Sequence, residues 1–143
     1  MTVRQLSVFL ENKSGRINVV AKALASSGIN MHAFSMAETT DFGILRLIVS
    51  DVDKAIEVLR REDFAVVVTN VICIECPNVP GALSDILEHL AVHGVFIEYM
   101  YAFAQGETAK IVIRPSDIDA CLAELDSHGC SVITDCELDA GVR

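Results

Sequence analysis

The residues best suited to share a metal ion are two histidines in the second half of the chain. His89 and His93 lie four positions apart, so on a helix both imidazoles would occupy one face. The sequence identifies no third ligand for them, and His32 and His128 have no evident partner. We therefore interpret His89 and His93 as surface or boundary residues and predict no metal site.

Cysteine spacing offers a second candidate. Cys73 and Cys76 form a lone C-x-x-C, whereas zinc sites usually need a second ligand pair and redox motifs of this type begin a helix. The surrounding pattern is that of a strand, on which residues three apart face opposite sides. We interpret both as core cysteines, and Cys121, Cys130 and Cys136 show no metal spacing.

Catalytic and cofactor motifs are missing from the sequence. It contains no serine nucleophile elbow, no Walker motif and no G-x-G-x-x-G. The acidic pairs Asp51/Asp53 and Asp117/Asp119 each begin a predicted helix, where capping explains them. We therefore predict no catalytic residues, no cofactor and no enzymatic activity.

Two turns offer a different chemistry, the binding of an anion by the backbone. Asn12–Ile17 and Asn78–Leu83 each lead from a predicted strand into a predicted helix. The first N–H groups of a helix have no intrahelical partner, and the helix dipole favours negative charge at that end. Both turns therefore suit a carboxylate or another anion.

Hydrophobic periodicity places these turns in a regular order of elements. Gln5–Glu11 alternates as a strand, and the residues between Gly15 and Gly28 recur at helical spacing. The elements predicted after them are a strand at 29–37, a strand at 43–50, a helix at 51–61 and a strand at 64–69. The order is strand, helix, strand, strand, helix, strand.

The second half repeats the first at an offset of 66 residues without a gap. Gly15 corresponds to Gly81, and Gly28 corresponds to Gly94. Because 66 is even, the faces of the strands are preserved as well as the helical stripes, which a chance match would not achieve. We therefore predict two units, residues 1–70 and 71–143.

The order of elements is that of the ferredoxin-like layout. The predicted fold class is α+β, with two tandem ferredoxin-like βαββαβ units whose antiparallel sheets carry the helices on one face. In each unit a strand leads into an Asn-x-x-Gly turn and a helix, and the first helix ends in Gly28-Ile29-Asn30-Met31. This pattern resembles the ACT domain, to whose Pro-Gly-x-Leu signature 80–83 is similar. The resemblance covers nearly the whole chain twice, as in a stand-alone tandem ACT protein.

The resemblance implies a regulatory module that binds a free amino acid at the interface between its units and acts on a partner enzyme or regulator. The turn N–H groups suit the α-carboxylate, and Asn side chains and exposed carbonyls suit the α-ammonium. The residues expected to bind the amino acid are Asn12, Ser14, Gly15, Arg16, Ile17, Asn30, Asn78, Val79, Pro80, Gly81, Ala82 and Leu83.

The two units differ within this motif. Asn12 and Asn78 replace the family's Asp, and Ser14 replaces its Pro in the first unit. Phe96 stands where the first unit has Asn30. We expect more polar contacts at the first turn, because Asn30 lies near it in the predicted fold.

Apolar residues occur on both faces of the predicted sheet, which predicts an interface. We expect the units to pair with each other and the chain to form at least a homodimer. The alternative function is a ligand-free interaction module that assembles a partner through this apolar face. A third possibility is an enzyme or metal carrier using His89, His93 and cysteines.

Composition limits the partners and the compartment. The chain has 143 residues and a formal net charge of −9, which argues against nucleic acid and anionic membranes. Hydrophobic residues make up 52%, yet no apolar run is long enough to span a bilayer, and we see no signal peptide. Five cysteines predict free thiols in a reducing cytoplasm.

Overall fold

The computed structural model describes residues 1–11, 13–38 and 41–134, apart from the side chain of Gln105. Its strands and helices are β1 (Val3–Glu11), α1 (Arg16–Ser26), β2 (Met31–Glu38), β3 (Phe42–Val49), α2 (Val52–Arg61), β4 (Ala65–Pro77), α3 (Ala82–Val92), β5 (Ile97–Gln105), β6 (Thr108–Pro115), α4 (Ile118–Ser127) and β7 (Ser131–Ile133). The predicted α+β class and its βαββαβ order are confirmed. The strands expected on either side of residue 70 form one continuous strand, β4, because no Gly or Pro interrupts the β-branched run there.

The first unit is built on strand β3. It pairs antiparallel with β1, where Leu6 opposes Leu47, and with β2, where Phe34 opposes the same residue. Opposed residues share a face of the sheet, and on this face the sheet and both helices bury a common apolar core. Its main members are Leu6, Val8, Leu10, Val20, Leu24, Leu45, Leu47, Ala55 and Leu59.

The second unit repeats this arrangement with β6 at its centre. Strand β6 pairs antiparallel with β4 and β5, and β7 pairs with β4. Helices α3 and α4 bury their stripes on one face, as Ile86 and Leu90 show in α3 and Cys121 and Leu125 in α4. The strands contribute Ile72, Ile74, Cys76, Ile111 and Ile113 to the same core.

The C-x-x-C lies on β4, and its two side chains face opposite sides, as predicted. Cys76 opposes Ala109 and joins the core beneath the helices, whereas Cys73 opposes Val112 on the other face. Burial raises the pKa of Cys73 to about 12, so its thiol stays protonated at neutral pH. Cys73, Cys76, Cys121 and Cys130 are free thiols, and Cys136 lies outside the described residues.

The four helices begin in two ways. Asp51 and Asp117 cap α2 and α4, and their Oδ1 atoms accept hydrogen bonds from the N–H groups of Lys54 (3.1 Å) and Ala120 (3.0 Å). This confirms the capping assigned to them. Gly15 and Gly81 precede α1 and α3 in the left-handed conformation, and no side chain of the described residues caps either helix.

The chain divides into two compact units. Among the described residues, one consists of residues 4–69, and the other contains Met1–Val3 and residues 70–134. We refer to them as the first unit and the second unit. Within the described ranges, no helix combines the length and the apolar character that crossing a membrane requires.

Candidate functional site

The first turn borders a cavity of about 440 Å³ in the first unit, which we call the first pocket. Four predicted site residues line it, namely Ser14, Gly15, Arg16 and Ile17. Because no described side chain caps α1, the N–H groups of its first turn can donate to a ligand. Asn12, a further predicted ligand, lies outside the described residues.

Charged side chains of both signs line the first pocket, in which Glu11 and Glu38 are the acids and Lys13 and Arg16 the bases. Strand β1 ends at Glu11 and strand β2 ends at Glu38, so the sheet brings both carboxylates to the edge where the turn lies. Leu10, Met36 and Gly43 supply an apolar and backbone wall. This lining matches a small zwitterion, with separate groups for an anionic and a cationic end.

The charges in the first pocket influence one another. Lys13 Nζ lies 3.0 Å from Glu11 Oε2. The hydrogen bond and charge of Lys13, together with the charge of Arg16, lower the pKa of Glu11 below its ordinary value. Glu11 is therefore a carboxylate at neutral pH and can accept a hydrogen bond from an ammonium group.

Arg16 is held by packing against an aromatic ring. Its guanidinium carbon lies 4.6 Å from the centre of the Phe64 ring, a distance typical of a cation–π contact. Its Nε is buried, and within the described residues no acceptor meets it. A buried donor without an acceptor costs free energy that a bound carboxylate would recover.

The second turn borders a smaller cavity of about 260 Å³ in the second unit, the second pocket. Asn78, Val79 and Leu83 line it, whereas Pro80, Gly81 and Ala82 complete the turn and begin α3. The Asn78 N–H donates to the Glu107 carbonyl at 2.8 Å, and its side-chain Nδ2 lies 3.5 Å from the Gly106 carbonyl. The remaining lining is mainly apolar: Cys76, Pro77, Ala102, Phe103, Ala104, Ala109 and Ile111.

The two pockets differ at the positions that carry charge. At an offset of 66, each charged residue of the first pocket has an uncharged counterpart in the second unit. The pairs are Glu11 and Pro77, Lys13 and Val79, Arg16 and Ala82, and Glu38 and Ala104. The fold therefore repeats, but the charged lining does not.

Asn30 does not belong to the first pocket. Its N–H donates to Ser50 Oγ (2.9 Å), and its carbonyl accepts from the Ser50 N–H (3.0 Å). It precedes the first residue of β2, whereas Glu38 ends that strand opposite Gly43. Eight strand residues separate the two ends by roughly 25 Å. The prediction that Asn30 lies near the first turn is wrong within this unit. Asn30 follows the C-terminal end of α1, whereas the first turn precedes the N-terminal end of that helix.

A second cluster of polar side chains joins α3 and α4. His89 Nε2 lies 3.2 Å and His93 Nδ1 lies 3.6 Å from Glu124 Oε2. The ring centres of His89 and His128 are 4.4 Å apart. His128 therefore has a partner, His89, which the sequence did not show. Glu124 lies where a third ligand for His89 and His93 would be, and the sequence did not identify it.

Comparison with known proteins identifies the family. The family model for the ACT domain pair matches residues 1–135. The chain belongs to the ACT domain pair family. An ACT domain pair is a regulatory module, so the predicted regulatory role is supported at this level.

Solved structures agree with this assignment. Protein BT0572 from Bacteroides thetaiotaomicron is 51% identical to this ACT domain pair, covers 96% of each chain and has a TM-score of 0.92. The ligand-free regulatory subunit of aspartate kinase from Thermus thermophilus has a TM-score of 0.66, is 15% identical and matches 87% of this chain and 91% of its own. The latter likeness shows the fold alone. No curated protein matches this ACT domain pair.

Several pocket residues of this ACT domain pair were not predicted. Glu11, Lys13 and Glu38 complete the charged lining, and Phe64 supports Arg16. A signal for Glu11 was available, because it is the charged residue that ends an apolar strand directly before the turn. Glu38 and Phe64 depend on strand pairing and helix packing, which local periodicity does not encode.

Proposed function

We propose that this ACT domain pair is a non-catalytic regulatory protein that binds a free amino acid in the first pocket. The observation that carries the proposal is the lining of that pocket by two carboxylates and two cations beside an uncapped helix start. Arg16, Lys13 and the first N–H groups of α1 would hold the α-carboxylate, while Glu11 and Glu38 would hold the α-ammonium.

The remaining parts of the proposal rest on the family and on composition. The bound amino acid would alter the action of a partner enzyme or regulator, as the ACT resemblance implies. The net charge of −9 argues against nucleic acid as that partner. The free thiols in the described residues support a reducing cytoplasm. Binding between the units, with Asn12 and the second turn contributing, stays a prediction.

A screen of the twenty amino acids by thermal shift tests the proposal. A ligand that binds only the folded protein raises the midpoint of unfolding by mass action. We expect a shift with one amino acid or a small related group. Calorimetry should then give about one ligand per first pocket, and the absence of any shift at millimolar concentrations would contradict amino-acid binding.

A ligand-free interaction module is the second candidate. It is favoured by the exposed apolar side chains of β2, where Phe34 is 65% exposed and Met36 is also exposed. The described strands pair β2 on one side only, with β3. This candidate predicts no thermal shift with any amino acid, so the same screen separates the two functions.

A further inference from the structure

We propose that the second unit binds a divalent transition-metal ion between α3 and α4, with His89, His93 and Glu124 as ligands. His89 and His93 project from α3, Glu124 projects from α4, and His128 directly follows α4. One ligand atom from each of His89, His93 and Glu124 lies within 4.8 Å of the other two. The site is separate from both turn pockets and does not depend on the proposed amino-acid ligand.

The distances between these ligand atoms fit tetrahedral coordination. In a tetrahedral site with metal–ligand bonds of about 2.0–2.1 Å, neighbouring ligand atoms lie about 3.3 Å apart. The Glu124 Oε2 atom is 3.2 Å from His89 Nε2 and 3.6 Å from His93 Nδ1. Placing an ion between them requires the two rings to turn away from the backbone carbonyls that they contact.

The donor set selects the class of ion. Imidazole nitrogens with one carboxylate oxygen suit Zn²⁺ and its neighbours Co²⁺ and Ni²⁺, whereas Mg²⁺ and Ca²⁺ require mostly oxygen. His128 lies on the surface beside this cluster, with its ring centre 4.4 Å from that of His89. The geometry therefore points to zinc as the best-fitting ion.

The position of the cluster favours a cation that can enter from solvent. His93 and His128 are the C-cap residues of α3 and α4, so the negative ends of two helix dipoles meet there. The side chains of His89, Glu124 and His93 are 18%, 27% and 44% exposed. The helices shield the ion without closing the site.

The internal repeat shows that packing of the two helices does not require these side chains. The counterparts of the four residues in the first unit are Ala23, Ser27, Val58 and Glu62. All four line one groove between α1 and α2, so the fold places equivalent positions together there as well. The first unit packs the same helix pair without a histidine, and the ligand set is therefore a property of the second unit alone.

Both ring nitrogens make hydrogen bonds to backbone carbonyls, and these bonds would be lost when an ion binds. The His89 Nε2–H group donates to the Glu124 carbonyl at 3.1 Å, and the His93 Nδ1–H group donates to the His89 carbonyl at 2.8 Å. Each neutral ring would move its proton to its other nitrogen, which frees the coordinating lone pair. No net proton is released by a neutral ring in this exchange.

Titration of tag-free, full-length protein with ZnCl₂ and CoCl₂ tests the site. We expect one ion per chain by calorimetry, and intense visible absorption from Co²⁺ in tetrahedral coordination. His93→Ala and Glu124→Gln should each weaken zinc binding at least tenfold. Zinc should raise the unfolding midpoint of the parent but not of these variants. Because His93 is exposed, its replacement should preserve the fold, and circular dichroism checks this.

His32→Ala is the matched control, because it removes a histidine from the first unit and should leave zinc affinity unchanged. Absence of stoichiometric zinc binding would overturn the proposal. Equal affinities of the parent, His93→Ala and Glu124→Gln would also overturn it, as would a thiolate-to-cobalt charge-transfer band, which would place the ion at cysteines. A failure of the amino-acid screen would contradict only the function proposed for the first pocket and would not change the result of the zinc titration.

Discussion

Arg16 shows how one residue can separate two copies of the same turn. Its guanidinium packs on Phe64 beside the first pocket, whereas the corresponding residue of the second unit is Ala82. A carboxylate bound to the first pocket would gain a charged partner that the second pocket cannot supply. The two turns therefore differ in individual side chains, while their backbone conformations are alike.

Arg16→Gln should weaken binding of the amino acid found in the screen. Loss of a hydrogen bond between charged groups costs about 1.5–3 kcal/mol, roughly a 10- to 100-fold rise in Kd. The lost contact with Phe64 should lower the free energy of unfolding by only about 0.5–1 kcal/mol. Calorimetry and urea unfolding measure the two effects. Arg60→Gln, at an exposed arginine of α2, should change neither, and unchanged affinity in Arg16→Gln would remove Arg16 from the site.

Lys13→Gln should raise the pKa of Glu11 toward its ordinary value of 4.5, because Lys13 is the main cause of its lowering. A lowered pKa in the folded state means that the ion pair stabilises the protein at pH values above the pKa of Glu11 in the unfolded state. This stabilisation is lost as the pH falls through the folded pKa. NMR titration of the Glu11 carboxyl measures the change.

A second ion pair of the same unit provides the control for that titration. Arg4 Nη2 lies 2.7 Å from Asp53 Oδ1, and Arg4 lowers the pKa of Asp53. Arg4→Gln should therefore raise the pKa of Asp53 and leave that of Glu11 unchanged. If Lys13→Gln shifted the pKa values of Glu11 and Asp53 equally, the change in net charge would explain the shifts and the local ion pair would not.

Helices α1 and α3 begin differently from α2 and α4, and the difference lies where a ligand would bind. The aspartate caps of α2 and α4 accept hydrogen bonds from backbone N–H groups, whereas no described side chain caps α1 or α3. The first N–H group of α3, that of Ala82, donates to the Val79 carbonyl at 3.3 Å. Gly15 and Gly81 have φ angles of 86° and 89°. The glycines are thus explained by backbone conformation.

Gly15→Ala and Gly81→Ala should each lower the free energy of unfolding by about 1–2 kcal/mol, the cost of a left-handed conformation for a residue with a Cβ atom. The added Cβ meets no atom within 4 Å at either position, so the loss would reflect strain alone. Urea unfolding measures it.

Asn18→Ala, at an exposed position early in α1, is the matched control for the glycine variants. Alanine should stabilise that helix by no more than about 0.7 kcal/mol. Equal stabilities of the parent and both glycine variants would show that the turns adopt another conformation in solution. Gly15→Val and Gly81→Val are poorer probes of ligand binding, because the same strain accompanies any steric block.

At the scale of the whole molecule, β2 is an edge strand with exposed apolar side chains. Phe34 and Met36 lie on its exposed surface, and β2 forms the end of the strand order. An unpaired edge with apolar side chains favours association with another chain. The proposed homodimer is therefore expected to use this edge.

Phe34→Lys should convert the protein toward a monomer. Sedimentation of the parent is expected to give at least twice the chain mass of 15.5 kDa, and the lysine variant should approach the chain mass because a charge opposes edge pairing. Val92→Lys, at a 74% exposed position at the end of α3, should leave the parent mass unchanged. A parent that stays monomeric across a wide concentration range would contradict the homodimer.

Local pattern in the sequence determined the elements of this protein. The order of strands and helices, the repeat at 66 residues, the aspartate caps and the opposite faces of Cys73 and Cys76 all follow from periods of two and 3.6 residues or from single capping positions. These features involve residues close together in the chain, so a short segment of sequence contains both partners of each interaction. The family resemblance rested on the same local motifs.

Only the tertiary structure decided which distant side chains meet. Glu38 joins Arg16 because β2 pairs with β3 in one particular register, and that register also carries Asn30 to the far edge. Glu124 meets His89 because α3 packs on α4, across 35 positions of the chain. Strand register and helix packing are set by the fit of whole apolar faces. The position of one polar residue in the hydrophobic pattern therefore does not show which distant polar residue it will contact.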